Sequence, residues 1–565
     1  MRASSGRAWT AVALIVGAVG VFIGPRWVAQ RLVGDGGLLD EVTAGVWIFK
    51  VLLVLHAAAL VALGRWGYGT HVEPLIRLPE RTHESVRGIP VPVLLAGALL
   101  LALGLRIVDL GSGLWHDEIA TLVEFGRLST GRIISTYTSQ NQHPLYSLLA
   151  SGCFALFGES AGALRLPAVL LGVASLGAVY TFGTMLVTRR ESLIATLLLA
   201  VSYHHVWFSQ NARGYTGLML FTLVGTTLYL RLLAGQGRNR HILVIGYAAS
   251  MALAVYTHLT AAFAVMAHFI VWAVLAKRRR AAREAGGPAG DAVVRASFAA
   301  LVLAGTLSLQ LYALVLPQLR EPLFAVAPEL GDTPWRNPLW LVAETMRGVA
   351  YGVPGGWFGL GAGIVVALAG MLSFTRRSGP ATALMVLPGV LIATALVALN
   401  HNLWPRFFFF AAGFAVLITV RGVFALAASV RPRSGPAIAT VLLLLVATAS
   451  ATTVARAWGP KQDYAAALAW VERERGPADT IAAAGLATYA LKNWLQATAV
   501  VGVEHVAGLE RLEADAARTF LIYSFPDHLR AASPPLWRHL RTEYQRVAEF
   551  PGTLGGGTVF VMSKP

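Results

Sequence analysis

The amino-acid sequence predicts an α-helical, polytopic membrane protein with about 13 transmembrane helices and a small C-terminal α/β domain. Three observations lead to this fold class. Of the 565 residues, 56% are hydrophobic and only 13% are charged, which is about half the charged share of a soluble domain. The hydrophobic residues form stretches of about 20, the length that crosses a bilayer as a helix. Only residues 456–565 have a soluble composition.

The apolar stretches divide the chain into three parts. Residues 1–89 hold two helices and a cytoplasmic loop, residues 90–455 form the main membrane module with a long outer loop at 109–165, and residues 456–565 form the soluble domain. The first stretch resembles a signal peptide, but it lacks a convincing cleavage site and further spans follow, so we expect a retained anchor. The predicted spans are 8–24, 44–63, 90–108, 166–187, 192–208, 215–233, 242–257, 260–276, 296–317, 355–374, 380–399, 406–425 and 436–455.

Arginine and lysine lie in every second loop, and short basic loops remain in the cytoplasm. This pattern predicts a cytoplasmic N-terminus and an extracytoplasmic C-terminal domain. The net charge of +17 then reflects membrane sorting and attraction to anionic lipid headgroups. A nucleic-acid partner is not expected, because the charges are divided among loops and form no single patch. The basic positions include Arg65 to Arg87, Arg189, Arg190, Arg238, Arg240, Lys277 to Arg283, Arg376, Arg377, Arg431 and Arg433.

The chain has one cysteine, Cys153. A single cysteine excludes an internal disulfide framework and a cysteine-rich metal site. We interpret it as a small apolar packing residue.

The first long outer loop carries an acidic pair, Asp117 and Glu118, after Trp115 and His116. Apolar residues at helical spacing follow and predict an amphipathic helix along the membrane surface. The pair is a candidate for acid–base chemistry. It is equally compatible with simple capping, because acidic residues in the first turn interact well with the helix dipole.

A second apolar stretch in this loop runs from Gln142 to Gly158 and opens with His143-Pro144. It is short for a span, and counting it as one would move Arg189 and Arg190 to the outside. We therefore place it in the membrane interface and expect Arg165 and Pro167 to begin the next span. A single His-Pro pair is also compatible with a structural role.

Four more polar residues lie at the same predicted face. Arg213 and Tyr215 stand between two apolar helices, His258 follows a span, and Arg406 opens another. An arginine at this depth is expected to face a cavity, a partner or a headgroup. Each arginine alone could be an interfacial anchor, but the acidic pair and several cationic or imidazole groups at one face indicate a site.

Five ordered motifs resemble the membrane glycosyltransferases of the GT-C fold, in particular the bacterial branch of the protein O-mannosyltransferase and aminoarabinose transferase families. The resemblance covers roughly residues 90–430. The motifs are Trp-x-Asp-Glu at 115–118, His-Pro-Leu-Tyr at 143–146, Leu-Phe-Gly…Leu-Arg-Leu-Pro at 156–167, Ser-Gln-Asn-Ala-Arg-Gly-Tyr at 209–215 and Pro-Arg-Phe at 405–407.

This resemblance implies transfer of a sugar from a polyprenyl-phosphate carrier to a lipid, glycan or protein acceptor at the outer face of a bacterial inner membrane. It places Asp117 at the family's acidic position in the first outer loop. Leu145 stands where the family often has a second proline, and Phe407 stands where a tyrosine is common. The spans at 8–24 and 44–63 precede the matching part and are not accounted for by the resemblance.

The chemistry of the residues agrees with that implication. Arginine forks stabilise a departing phosphate, and a carboxylate can remove the acceptor's proton. We therefore assign the catalytic role to Asp117 and Glu118 and substrate binding to His143, Arg213, Tyr215, His258 and Arg406.

No cofactor is certain from the sequence. The donor carries its own activation, and there is no Walker-type phosphate loop. A divalent metal stays possible, because Asp117, Glu118, His116 and His143 offer suitable ligands without a standard metal-binding spacing.

The C-terminal domain is predicted to contain a helix over Tyr464 to Arg475, capped by Asp463 and ended by Gly476. Strands are predicted at 480–484 and 519–523, a helix over 526–541 broken at Pro534, and a hairpin over 544–562 with a Gly-rich turn. The turn glycines do not form a nucleotide-binding fingerprint.

Two other functions are compatible with parts of the pattern. A transporter or flippase would also place cationic residues near one face, but no internal repeat and no matched pair of broken spans is visible, and Lys50 is the only obvious charge well inside a span. A non-catalytic relative that binds lipid-linked sugars is the other alternative.

Overall fold

The computed structural model describes most of the chain. The described parts are residues 24–66, 73–79, 90–237, 239–285, 291–324 and 334–564, with scattered positions between 11 and 22. The helices before the C-terminal domain are Pro25–Val33, Leu39–Trp66, Val91–Ile107, His116–Ala120, Thr130–Ser135, Pro144–Phe157, Ala161–Gly183, Arg189–Ala200, Tyr203–Ser209, Tyr215–Leu233, Arg240–Thr257, Ala262–Glu284, Ala292–Tyr312, Arg320–Phe324, Pro338–Gly352, Gly356–Arg377, Gly379–Ala398, Ala412–Val430 and Gly435–Ala451.

The structure confirms a multi-pass membrane protein but not the number of 13 spans. Within the described residues, nine helices are long and apolar enough to cross a membrane, or ten if the bent pair Arg189–Ala200 and Tyr203–Ser209 counts as one span. The predicted spans 90–108 and 436–455 correspond to shorter apolar helices of 17 residues each. Only scattered residues of the predicted span 8–24, about half of them, are among the described residues.

Helix Tyr215–Leu233 lies at the centre of the bundle. In its apolar window 72% of the residues are buried, whereas the value for the peripheral helix Gly356–Arg377 is 11%. The central helix packs against Ala161–Gly183 and Arg240–Thr257. Its N-terminal residue, Tyr215, belongs to the predicted site, so the site is built on the most enclosed helix of the fold.

The predicted span at 192–208 is broken in the structure. The two helical parts bend by 63°, which frees backbone carbonyl groups that lipid cannot satisfy. The fully buried Arg106 donates hydrogen bonds to the carbonyl oxygens of Leu199 (3.2 Å) and Ala200 (3.0 Å). The sequence analysis placed Arg106 inside a span without assigning it a partner.

The helix that follows the acidic pair does not pack where the sequence predicts. Helix His116–Ala120 continues as a π-helical turn, Thr121–Gly126, as the apolar spacing predicts. Its apolar side chains do not lie along the membrane surface, because Ile119 and Leu122 are buried in a core shared with helix Pro144–Phe157 and the C-terminal domain. The prediction of a membrane-facing amphipathic helix was therefore wrong.

The next helix begins earlier than expected. Ser160 caps it by accepting a hydrogen bond from the backbone N–H of Ala163 (3.1 Å), so the helix is Ala161–Gly183. Arg165 therefore lies in its second turn and does not begin the span. Helix Pro144–Phe157 has 14 residues, in agreement with the prediction of an apolar helix too short to cross.

The outer loop predicted at 318–354 contains a helix that the sequence analysis missed, Pro338–Gly352, capped by the side chain of Asn337 (2.8 Å to the N–H of Leu339). Its apolar residues Leu339 and Val342 are 77% and 54% exposed. An exposed apolar stripe on a helix between membrane spans is typical of a helix in the interface.

The C-terminal domain is an α/β unit with a five-stranded sheet in the order β2-β1-β3-β5-β4. β1 pairs in parallel with β2 and β3, and β5 pairs antiparallel with β3 and β4. The strands are β1 (Thr480–Ala484), β2 (Val500–Val503), β3 (Thr519–Ser524), β4 (Gln545–Phe550) and β5 (Val559–Lys564), and the helices are Tyr464–Glu474, Leu486–Asn493, Val506–Asp515, Pro526–Ala532 and Pro534–Glu543.

The structure confirms the elements predicted for this domain, including the Asp463 cap (3.0 Å to the N–H of Ala466), the break before Pro534 and the final hairpin. It adds β2 and two helices that the sequence analysis left out. β2 has only four residues, with a glycine among them, which is too short for a pattern of alternation to be recognised.

The domain is docked on the end of the bundle that carries the loop 109–165. The indole N–H of Trp207 donates to the hydroxyl of Thr553 (3.1 Å), and that of Trp458 donates to the carbonyl oxygen of Leu105 (3.0 Å). Within the domain, Gly552 packs against the backbone of Lys461 with no room for a Cβ atom. The backbone N–H of Lys461 donates to the carbonyl oxygen of Gly113 (3.2 Å), which joins the start of the domain to the loop 109–165.

Candidate active site

The two carboxylates of the acidic pair lie in different environments, because Glu118 is buried and Asp117 is partly exposed. Glu118 is fully buried and forms a bidentate ion pair with Arg165, at 2.8 Å and 2.7 Å. Its oxygens also accept hydrogen bonds from the backbone N–H groups of Ala212 (2.7 Å) and Trp115 (3.3 Å). Both carboxylate oxygens are thus fully occupied by protein donors.

Arg165 uses its remaining donors on the backbone of the outer loop. They reach the carbonyl oxygens of Leu110 (3.0 Å), Ser112 (2.8 Å) and Gly113 (3.0 Å). A guanidinium with all its N–H groups satisfied and a carboxylate partner can be buried without leaving an unpaired charge. The pair therefore fixes the path of the loop that leads to the site.

The inner side of this network includes Lys461 from the start of the C-terminal domain. Its ammonium group is buried and donates to the carbonyl oxygen of Gln210. Burial lowers the pKa of Lys461 to about 7. Burial also tends to raise the pKa of Glu118, but the charges of Arg165 and Lys461 outweigh that effect and hold this pKa below its ordinary value.

Asp117 faces the other way. One of its carboxylate oxygens lies 3.4 Å from a terminal nitrogen of Arg406, and the side chains are 17% and 27% exposed. The backbone carbonyl of Asp117 accepts hydrogen bonds from the hydroxyl of Thr121 (2.8 Å) and the amide of Asn141 (3.0 Å). The backbone is fixed while the carboxylate stays open to incoming groups.

Arg406 is held between aromatic rings. Its guanidinium carbon lies 4.8 Å from the ring centroid of Trp404 and 5.6 Å from that of Trp115. The residue belongs to the 3₁₀ segment Pro405–Ala411 at the start of a span. Its Nε has no hydrogen-bond partner among the described residues. Stacking orients the guanidinium and leaves donors free for an anion.

Arg213 lies deeper, with 4% of its surface exposed. One terminal nitrogen donates to the carbonyl oxygen of Asn141 (2.8 Å) and to the side chain of the same residue, and it also lies 3.3 Å from the hydroxyl of Thr121. The other terminal nitrogen is 3.0 Å from Nε2 of His143. Asn141 thus links Arg213 to the backbone of Asp117.

The contact between Arg213 and His143 is not a satisfied hydrogen bond. Nδ1 of His143 accepts from the N–H of Gly214 (2.9 Å), so the proton of the neutral ring is on Nε2, which faces another donor. Burial and the neighbouring charges of Arg213, His258 and Arg406 hold the pKa of His143 well below its ordinary value, so the ring is neutral. The second donor of Arg213 therefore favours an acceptor that the described residues do not supply.

Aromatic rings close the deep side of the site. The ring of His143 lies 4.8 Å from that of His258 and 5.6 Å from that of Tyr215. Nδ1 of His258 accepts from the hydroxyl of Thr260 (2.8 Å). The hydroxyl of Tyr215 is buried without a partner among the described residues, so it can donate to a bound group.

The structure thus brings together six of the seven residues that the sequence analysis selected: Asp117, His143, Arg213, Tyr215, His258 and Arg406. Glu118 is adjacent in sequence but belongs to the buried network behind them. The sequence analysis missed Asn141, although it stands two residues before His143 in a polar run that could have identified it.

The rim of the site also contains residues from the C-terminal domain. The hydroxyl of Tyr489 donates to Glu124 (3.3 Å), and its ring packs against His116 with centroids 5.4 Å apart. Glu124 also accepts from the hydroxyl of Ser139 (2.9 Å). Tyr489 is several hundred residues away from the loop it contacts, so no local sequence signal could have indicated it.

The proposed metal ligands do not form a metal-binding group. Among the described residues, no cluster of three or more His, Cys, Asp or Glu side chains could hold a metal ion. Glu118, one of the four ligands considered, directs both oxygens at Arg165.

These features define a class of protein. It is a multi-pass membrane protein with a carboxylate and two arginines in one partly exposed site at one membrane face, beneath a small α/β domain. Such a site suits an anionic substrate that is reached from the membrane surface.

Residues 141–315 match the family model described as dolichyl-phosphate-mannose-protein mannosyltransferase. This segment contains His143, Arg213, Tyr215 and His258. The match confirms, for this part of the chain, the resemblance to polyprenyl-dependent membrane glycosyltransferases expected from the sequence. No curated protein matches the chain significantly.

Several solved structures are similar to the chain at low identity. ArnT from Cupriavidus metallidurans in the apo state has 12% identity and a TM-score of 0.48 over 84% of this chain and 97% of its own. The oligosaccharyltransferase AglB from Archaeoglobus fulgidus, in complex with an inhibitory peptide and a dolichol-phosphate, has 12% identity and a TM-score of 0.46 over 83% and 74%. The Pmt1-Pmt2 complex of S. cerevisiae has 16% identity and a TM-score of 0.33 over 45% and 38%.

The buried ion pair is expected to contribute strongly to the stability of the fold. Replacing Arg165 by Met leaves Glu118 as an unpaired buried charge, which costs about 3–5 kcal/mol of unfolding free energy. Arg127 and Glu159 form a matched control in the same loop, because their side chains are 34% and 41% exposed and such pairs contribute about 1 kcal/mol or less. Thermal unfolding of the purified variants Arg165→Met and Arg127→Met in detergent measures the difference. Equal melting temperatures would show that the buried pair is not what fixes the loop.

Proposed function

We propose that the protein is a glycosyltransferase that moves a hexosyl or pentosyl group from a polyprenyl-phosphate-linked donor to an acceptor at the outer face of a bacterial inner membrane. The observation that carries this proposal is the partly exposed Asp117 carboxylate, 3.4 Å from Arg406, with Arg213 close behind. A base and a phosphate-binding group stand side by side there. The family match over residues 141–315 supports the same donor class.

The donor phosphate is proposed to bind between Arg406 and Arg213. Arg406 has a free Nε, and Arg213 has a donor that faces the N–H side of His143. A phosphate would satisfy both groups at once, and a guanidinium binds phosphate through two parallel hydrogen bonds. The site lies at the ends of apolar spans, so the polyprenyl chain can stay in the bilayer while the phosphate enters.

The catalytic step is proposed to begin with an exchange of partners. The contact between Asp117 and Arg406 is single and long, so an incoming phosphate can replace the carboxylate on Arg406. The C1–O bond to the phosphate then breaks, and C1 bonds to the acceptor oxygen. The acceptor proton moves to Asp117, and the polyprenyl phosphate keeps the electron pair of the broken bond, with its charge stabilised by the arginines.

The acceptor is proposed to approach from beneath the C-terminal domain. Tyr489, Glu124 and His116 border the opening on that side, and they offer polar contacts of the kind that hydroxyl-bearing lipids, glycans or proteins use. A transporter is less well supported, because the charged groups of the site are gathered at one face and do not form a path across the bundle.

Asp117→Asn keeps the size and hydrogen-bonding capacity of the side chain but removes the base. We expect transfer to fall by about 10² to 10⁴-fold, the usual range for general base catalysis, with normal folding. The measurement is release of free polyprenyl phosphate by purified protein from a panel of polyprenyl-phosphate sugars with cell-envelope acceptors. Glu159→Gln, on an exposed carboxylate of the same loop, is the control.

Near-normal turnover of Asp117→Asn would contradict the assignment. Glu118→Gln is expected to lower the folded yield more than the turnover per folded molecule, because Glu118 is buried against Arg165. A parallel assay with a chelator tests metal dependence. Equal loss of turnover in both variants together with chelator sensitivity would instead indicate a shared metal ion.

Arg406→Lys is not expected to be a conservative change. A lysine provides a point charge without the planar fork, so we expect weaker binding of polyprenyl phosphate and slower transfer, and near-complete loss for Arg406→Ala. Arg456→Lys is a matched control, since Arg456 lies at the same face over the ring of Tyr351 (5.6 Å) but outside the site. If Arg406→Lys binds polyprenyl phosphate and transfers sugar as the wild type does, Arg406 is an interfacial anchor and not a phosphate-binding residue.

The proposed orientation can be tested with single cysteines in a Cys153→Ala background. Ser434 and Ala507 are exposed and lie beyond opposite ends of the helix Gly435–Ala451, the second within the C-terminal domain. An impermeant thiol reagent added to intact cells should label Ala507→Cys only, and both positions should react after lysis. Labelling of Ser434→Cys alone in intact cells would place the site on the cytoplasmic side.

A further inference from the structure

A cavity lies at the membrane face opposite the site. Its volume is about 460 Å³, and three separate parts of the chain line it: the segment 74–77, the end of helix Ala262–Glu284, and the junction at Ser378 between helices Gly356–Arg377 and Gly379–Ala398. Arg278 follows His258 by about 20 residues along a helix, which is roughly 30 Å at 1.5 Å per residue. The cavity is therefore at the other bilayer surface.

The segment at this cavity is fixed to the bundle. The backbone N–H groups of Leu75 and Ile76 donate to the carbonyl oxygen of Leu233, at 2.8 Å and 3.4 Å. Ile76 is only 6% exposed and belongs to the main hydrophobic core. Arg77 is consequently held beside the helix ends and does not lie on an unattached loop.

Four arginines converge on the cavity: Arg77, Arg278, Arg279 and Arg377. None of the described residues that line it is acidic. Glu73 next to it pairs with Arg279, and Glu191, the next carboxylate near Arg377, pairs with Arg421 at 2.8 Å. Three positive charges from three chain segments therefore lack a carboxylate partner among the described residues. Like charges held together repel each other, so the arrangement favours a bound anion.

The surroundings of the arginines indicate what kind of anion fits. Leu75 and Leu275 form an apolar wall of the cavity. On the two helices that carry Arg278 and Arg377, Val274 and Leu372 are 46% and 51% exposed slightly further into the bilayer. A ligand at this depth can place a phosphate among the guanidinium groups and acyl chains along the helices.

We propose that this cavity binds the phosphate headgroup of an anionic phospholipid from the leaflet opposite the catalytic site. Guanidinium groups bind phosphate bidentately, and basic pockets between helix ends suit anionic lipid headgroups. The N-terminus of helix Gly379–Ala398 borders the same cavity and adds a favourable dipole. The bound lipid joins the segment 74–77 to two helix ends and neutralises their charge.

The test uses purified full-length protein in a neutral detergent, titrated with dioleoyl phosphatidylglycerol, with bound lipid counted by native mass spectrometry. The triple variant Arg77→Gln, Arg278→Gln, Arg377→Gln is expected to bind the lipid roughly 100-fold more weakly. Each of the three arginines is expected to contribute a factor of slightly less than ten to the affinity. The control triple variant Arg376→Gln, Arg431→Gln, Arg433→Gln removes the same charge from exposed positions of the same face and should bind as the wild type does.

A second variant guards against loss of fold. Leu75→Trp fills the cavity and keeps all four arginines, so it should lose the lipid while its melting temperature in lipid-free detergent stays near that of the wild type. Equal loss of lipid in the control triple variant would overturn the proposal, because binding would then follow surface charge alone. Displacement of the lipid by millimolar inorganic phosphate, or tighter binding of undecaprenyl phosphate at the cavity, would overturn the assignment to a phospholipid.

The outcome of the lipid-binding test does not depend on the proposed transfer reaction. The cavity is about 30 Å from the site and shares no residue with it, so either proposal can fail without affecting the other.

Discussion

The buried ion pair between Glu118 and Arg165 is the interaction on which the rest of the site depends. Removing two charges from water is costly, and the cost is offset only when every donor and acceptor finds a partner. Here Glu118 accepts four hydrogen bonds, and Arg165 also holds three carbonyl groups of the outer loop. The pair thereby joins the first outer loop, helix Ala161–Gly183 and the backbone at Ala212. Lys461 donates its backbone N–H to Gly113 (3.2 Å), which extends the same connection to the C-terminal domain.

The division of roles between Asp117 and Glu118 follows from this pair. Successive residues of a helix point about 100° apart, so a Glu118 fixed toward the protein interior turns Asp117 toward the opening. The structure therefore separates two carboxylates that look equivalent in sequence: Glu118 is buried against Arg165, whereas Asp117 is partly exposed beside Arg406. Asn141 makes a further connection: its side-chain amide donates to the backbone carbonyl of Asp117, and its own backbone carbonyl accepts from Arg213. A small rotation of the loop 109–165 would therefore move the Asp117 carboxylate and Arg213 together.

Buried arginines recur where the membrane part departs from regular helix. Arg106 satisfies the carbonyls released at the 63° bend between Arg189–Ala200 and Tyr203–Ser209, as irregular backbone at this depth requires. The bend directs the chain toward Asn211 and Arg213 at the site. At the opposite face, Arg77, Arg278 and Arg377 are exposed and have no carboxylate partner among the described residues. The contrast separates arginines that complete the fold from arginines that favour an external anion.

Hydrophobic stretches and caps were sufficient for the sequence to determine the membrane class, most span positions, the strands at 480–484 and 519–523, and the face on which Asp117, His143, Arg213, His258 and Arg406 gather. These features depend on local periodicity and on the alternation of basic loops, which are visible along the chain. The tertiary structure alone decided that Glu118 is a partner of Arg165, that the helix after Arg189 is broken, and that Lys461 and Tyr489 reach the outer loop. Each of these depends on a contact between residues far apart in sequence. Whether a charge is buried and paired is a property of both partners, and a single chain segment carries information about only one.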